Sequence, residues 1–166
     1  MIPFGHICLR NCDVKPERWT RFTRDEEVTL MSLWALESSP LMLGMNLPDN
    51  DEWTTSLLTN TEALAIDQDA LGRAARPMSG PPVAAEIWFK DLADGSHAVG
   101  FFNRTDQIAR VDTAWRNFGF GVLPEVRDVW AHRNLGLQAR YTGELRPHGC
   151  ALLRVKGPLG TEGAQQ

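Results

Sequence analysis

The stretch Glu86-Ile87-Trp88-Phe89-Lys90-Asp91-Leu92-Ala93-Asp94-Gly95-Ser96-His97-Ala98-Val99-Gly100-Phe101-Phe102-Asn103 reads as a β-hairpin. Glu86–Lys90 and Ala98–Asn103 are rich in the aromatic and β-branched residues that suit a pleated, half-buried surface. Between them, Ala93-Asp94-Gly95-Ser96 carries the Asp-Gly pair that supplies the positive φ of a tight turn. The same short-strand pattern continues downstream at Ile108–Trp115, Glu125–Trp130, Gln138–Thr142 and Cys150–Val155. Turn residues separate these runs at close intervals, which predicts an all-β antiparallel sandwich over residues 84–157. The polar, glycine-rich end, residues 158–166, reads as a frayed, disordered tail.

Upstream of the hairpin, Arg76-Pro77-Met78-Ser79-Gly80-Pro81-Pro82 packs three prolines and a glycine into seven residues. Proline removes donors and glycine adds backbone freedom, so neither a helix nor a central strand runs through a linker set at residues 77–83. Before it, residues 1–76 are helical in character. Thr23-Arg24-Asp25-Glu26 fits a capping box, and Asp25, Glu26 and Glu27 sit where a helix dipole favours negative charge. Val28, Leu30, Met31, Leu33 and Trp34 follow at helical spacing, and Pro40 ends the helix around residues 37–39. The apolar run Leu41-Met42-Leu43-Gly44-Met45 reads as a buried parallel strand. Further helices fit Asp51–Thr59 and Thr61–Ile66, an order that is α/β in character.

Composition narrows the function classes. The 166 residues suffice for one domain or two small pieces, with 43% hydrophobic and 23% charged residues. The net charge of −4 is spread without a basic stripe, which argues against a nucleic-acid partner. No apolar run approaches the roughly 18–20 residues of a membrane span, so no membrane partner is expected. Nothing at the start reads as a secretory signal, and nothing else points to a compartment. Three cysteines, Cys8, Cys12 and Cys150, do not suggest a disulfide framework, and with His6 they do not complete a metal site.

The parts of common hydrolase chemistry are missing. There is no Gly-x-Ser-x-Gly elbow, phosphate loop or His-Glu-x-x-His motif. His6, His97, His132 and His148 are scattered and read as surface or satisfied histidines. Trp88, Trp115 and Trp130 offer rings for sugar stacking, but at least two of the three read as core. Asn103-Arg104-Thr105 matches a glycosylation sequon.

A family resemblance carries the reading further. Arg21–Glu27, Leu30-Met31-Ser32-Leu33-Trp34-Ala35 and Ser39-Pro40-Leu41-Met42-Leu43-Gly44 resemble the end of the α-galactosidase (melibiase) barrel of glycoside hydrolase family twenty-seven. The most specific piece is Leu57-Leu58-Thr59-Asn60 through Ala65-Ile66-Asp67-Gln68-Asp69 to Leu71-Gly72. Glu86-Ile87-Trp88, Ala98–Arg104, Val126–Trp130 and Pro147-His148-Gly149 resemble the family's C-terminal β-domain.

The resemblance implies a (β/α)₈ barrel followed by a β-sandwich. Residues 1–76 would be the last helices and eighth strand of a barrel that takes roughly 250 residues in full. It implies removal of terminal α-linked galactose with retention, by an aspartate nucleophile and an aspartate acid/base. In the family both aspartates precede the matched region, so no catalytic residue is assigned and the chain by itself is expected to be inactive. Met1, with Ile2-Pro3-Phe4-Gly5, aligns with a family methionine lining the galactose pocket, and is the one candidate substrate-binding residue. The expected partner is an α-galactoside oligosaccharide bound by the full-length protein, with no cofactor and no metal. A non-catalytic carbohydrate-binding or interaction sandwich is the alternative, and α-N-acetylgalactosaminidase specificity shares the same fold.

Overall fold

The computed structural model describes residues 1–7, 18–78 and 84–160. Cys8, Cys12 and most of the proline-rich linker lie outside the described residues. Two short strands, β1 (His6–Ile7) and β2 (Arg18–Trp19), pair antiparallel.

The first helix, α1 (Arg24–Glu37), starts at the capping box. The Thr23 hydroxyl accepts from the Glu26 amide at 3.3 Å, and the Glu26 carboxylate accepts from the Thr23 amide at 2.7 Å. It ends at Ser38, whose φ of 49° is left-handed and whose N–H turns back to the Ala35 carbonyl. Side-chain caps also set α2 (Glu52–Leu58) and α3 (Thr61–Asp67). The Asp51 carboxylate accepts from the Thr54 amide, and the Asn60 side-chain oxygen accepts from the Glu62 and Ala63 amides. All three helices fall within a residue or two of the sequence expectation.

The Leu41–Met45 run is the main departure in this half. It makes one isolated parallel bridge, Leu43 to Ile2, in place of a buried strand, and Met42 and Leu43 are 64% and 41% exposed. A parallel strand of this kind is buried on both faces only where it stands inside a sheet whose two faces are covered by packed layers. Here its ladder partner is Ile2 alone among the described residues.

The remaining strands are β3 (Arg76–Pro77), β4 (Glu86–Asp91), β5 (His97–Phe102), β6 (Ala109–Ala114), β7 (Glu125–Asp128), β8 (Arg133–Leu137), β9 (Arg140–Leu145) and β10 (Cys150–Lys156). Six of them form an antiparallel sheet in the order β3-β4-β5-β10-β7-β8, and β6 pairs with β9. Pro77 sits in β3 opposite Trp88, at the sheet edge where a missing N–H costs least. The expected strand through Trp115 stops at Ala114 and becomes a 3₁₀ turn, Trp115–Phe118. The tail is anchored at its start: Leu159 bridges Phe120, and the Gly160 N–H donates to the Gly119 carbonyl at 2.6 Å. Residues 161–166 lie outside the described part.

The six-stranded sheet is covered on both faces. On one, Ile87, Phe89, Val99, Phe101, Leu153 and Val155 meet β6, β9 and Trp115. On the other, Ala98, Phe102 and Leu152 meet Ala35 and Leu36 of α1 and Ala63 and Ile66 of α3. This is why every residue of β5 is buried, while β6 alternates buried and exposed at its start. Gly100 permits the close approach. A Cβ there would lie 2.6 Å from Leu36 Cδ1 and 2.6 Å from the Phe102 ring.

Candidate functional site

Ile2 donates to the Met42 carbonyl at 2.7 Å, and the Gly44 N–H donates to the Ile2 carbonyl at 2.9 Å. This parallel contact sets the Met1 side chain over Gly44, where a Cβ would overlap the methionine sulfur. Met1 is 74% exposed. Just after it, Gly5 has φ +58° and lies against buried Glu27 of α1. The Glu27 carboxylate accepts from Trp53 Nε1 at 2.7 Å and is also held by the Gly5 backbone. Burial pushes Glu27 above the ordinary carboxylate range. Along the sequence nothing separates Glu27 from its neighbours Asp25 and Glu26. An acid in a helix's first turn reads as dipole compensation, and only packing reveals that this one faces inward.

Glu62 and the histidines lie in contacts within the fold. Glu62 of α3 accepts from Arg127 of β7 at 2.6 and 2.7 Å and meets His132 Nδ1 at 2.6 Å. Hydrogen bonding to Arg127 holds the Glu62 carboxyl below its usual range. His97 is buried against Phe89 with Nδ1 3.0 Å from Asp91, and His148 Nε2 lies 2.8 Å from Asp106. His6 approaches Asp49 at 3.5 Å. Among the described residues, no cluster of three histidine, cysteine, aspartate or glutamate side chains could hold a metal.

Lys90 is 1% exposed. Its ammonium donates to the Ala35 and Ile66 carbonyls, at 2.8 and 2.6 Å, and to Ser38 Oγ at 2.7 Å. A single cation thus caps the C-terminal ends of α1 and α3 where their dipoles favour it. Burial pushes the Lys90 ammonium below its ordinary value, against the pull of Asp67. A lysine closing a strand carries no sign of this in the sequence.

Trp88 and Trp130 both pack on the helix-facing side of the sheet, and Trp115 on the other. Trp115 is buried in the sandwich core. Trp130 donates to Ser32 Oγ at 2.8 Å beneath α1. Trp88, half-buried, borders a groove of about 580 Å³ between α1 and the sheet. Phe22, Leu30, Leu33 and Phe102 line the same groove, with Glu86 and Arg104 at its rim.

The sequon asparagine, Asn103, is 2% exposed, and its amide donates to the carbonyls of Gln107, Leu145 and Arg146. In the fold it is a loop anchor and not a glycan acceptor.

The family model for the α-galactosidase C-terminal β-sandwich domain matches residues 84–155. An α-galactosidase from Oryza sativa is 30% identical over 123 residues, 73% of this chain and 29% of that protein. An isomalto-dextranase from Arthrobacter globiformis is 35% identical over 153 residues, 85% of this chain and 23% of that protein. A solved structure of a family twenty-seven β-L-arabinopyranosidase from Geobacillus stearothermophilus superposes with a TM-score of 0.83 at 37% identity, covering 96% of this chain and 37% of that one. The chain therefore spans about a quarter to a third of the curated relatives it matches. By the sandwich match, the relatives that align over more of the chain than the sandwich alone, and the shared fold, the chain belongs to the α-galactosidase family, glycoside hydrolase family twenty-seven, as its C-terminal region.

Proposed function

We propose that this chain is the C-terminal part of a retaining glycosidase of the α-galactosidase type, acting on terminal α-linked galactose. In this reading residues 1–76 are the last helices and eighth strand of a (β/α)₈ barrel, 77–83 a linker, and 84–157 a sandwich that braces those helices. The supporting observation is the parallel bridge between Ile2 and Leu43, with α1 as the crossover between them. Strand, helix, parallel strand is the unit from which such a barrel is built.

Double displacement needs two carboxyl groups about 5–5.5 Å apart across the sugar, one to attack the anomeric carbon and one to move the proton. Among the described acids, Glu27 is engaged by Trp53 and Glu62 by Arg127, while Asp67, with one buried carboxylate oxygen that has no hydrogen-bond partner, is balanced by Lys90 at the end of α3. The catalytic pair is therefore assigned to barrel strands beyond this chain. Met1, at the end of the parallel pair, is assigned as a galactose contact in the complete enzyme.

The test is nitrophenolate release from nitrophenyl α-galactoside. The 166-residue chain alone is expected to show none, and a polypeptide carrying the preceding barrel strands is expected to show turnover. In that longer protein, replacing the Met1 methionine by alanine is expected to raise KM. Turnover by the short chain that disappears when one of its own carboxylates is replaced would overturn the assignment.

A further inference from the structure

We infer that the groove between α1 and β4 binds a neutral saccharide ring through Trp88, Glu86 and Arg104. The proposal goes beyond the hydrolytic reading, because binding here needs no catalytic acid. It starts from the pleat of β4. Ile87 and Phe89 point into the sandwich core, so Glu86 and Trp88 point to the opposite face, toward α1. There Leu30 and Leu33 of α1 and the Phe102 ring complete an apolar floor, with half-exposed Phe22 at one end.

The rim is preorganised. Glu86 Oε1 accepts from the indole N–H of Trp88 at 2.9 Å, and Glu86 Oε2 accepts from Arg104 Nη1 at 3.1 Å. The carboxylate thus fixes the plane of the indole and is itself balanced by the guanidinium. Arg104 keeps most of its five N–H donors available, and its side chain is 79% exposed.

An aromatic face beside a fixed acceptor–donor pair matches a pyranose, which has one C–H face and an edge of hydroxyls. The charges at the rim select against an anion. Glu26 lines the groove beside Glu86, while Glu26 is committed to the Thr23 amide and His148 to Asp106. The volume, about 580 Å³, is within the range of small-ligand sites.

The test titrates the whole chain with methyl α-galactoside, raffinose and galacturonate, followed by calorimetry. Saturable binding of the two neutral sugars is expected, with a dissociation constant on the order of 1 mM. Galacturonate is expected to bind more weakly. Trp88→Ala should abolish binding. Arg104→Ala should weaken it about tenfold with an unchanged melting temperature, since that side chain is exposed. Folded chain that binds neither neutral sugar, R104A that binds like the parent, or tighter binding of galacturonate would each overturn the proposal. Because the readout is binding, these outcomes are separate from any result on nitrophenyl α-galactoside.

Discussion

Asn103 donates to three carbonyls, at 2.6 Å to Gln107, 3.2 Å to Leu145 and 2.9 Å to Arg146, and is nearly inaccessible to solvent. Asn103→Asp keeps the shape but replaces the donor with a carboxylate facing those acceptors. Unfolding free energy in urea is expected to fall by about 2–3 kcal/mol. Cys150 and Tyr141 make a second prediction. Burial pushes the Cys150 thiol up to about 11 from 9.0, and the Tyr141 phenol up to about 12 from 10.0. The unfolded chain therefore loses these protons at lower pH than the folded chain does. Their contribution is complete below pH 9 and is lost as pH rises through 9–11 for the thiol and 10–12 for the phenol. Urea midpoints should drop across that window, and Cys150→Ala with Tyr141→Phe should flatten the drop.

At the scale of elements, α1 is the hinge of the arrangement. It packs on the sheet through Leu36 over Gly100, and its end is tied to the end of α3 by Lys90. Lys90→Met fills similar space but leaves the Ala35 and Ile66 carbonyls without that buried donor. The expected cost is about 2–4 kcal/mol by thermal or urea unfolding, with faster amide exchange in the last turns of α1 and α3. The cap of α1 is legible in the sequence because capping is local: Thr23 reaches the amide three residues on, and in the fold Asp51 and Asn60 cap α2 and α3 over the same short range. Nothing in the sequence marks strand β8. Arg133-Asn134-Leu135-Gly136-Leu137 has no alternation, lies at an edge and pairs with β7 across a register shift at Val126/Arg127. Edge strands owe their pairing to the neighbour and not to their own composition.

For the molecule as a whole, the sheet between helices and sandwich decides what can stand alone. Phe102, Leu152 and Ala98 are buried only because α1 and α3 cover them. A piece comprising residues 84–160 alone would expose that face. It is expected to be less stable than the whole chain and to bind anilinonaphthalene sulfonate more strongly than the whole chain does. Equal stability of the two would show that the helical layer contributes nothing to the sandwich.

By itself the sequence determined the helices, the hairpin at Asp94-Gly95, the sandwich class and the family, because these rest on local chemistry and ordered motifs. Tertiary structure alone decided which side chains face inward. Glu27, Lys90 and Asn103 look like ordinary polar residues along the chain, and Trp88 and Trp115 look equivalent. Burial is a property of the opposing layer, so a residue's own neighbours in sequence carry no record of it until the sheet is covered.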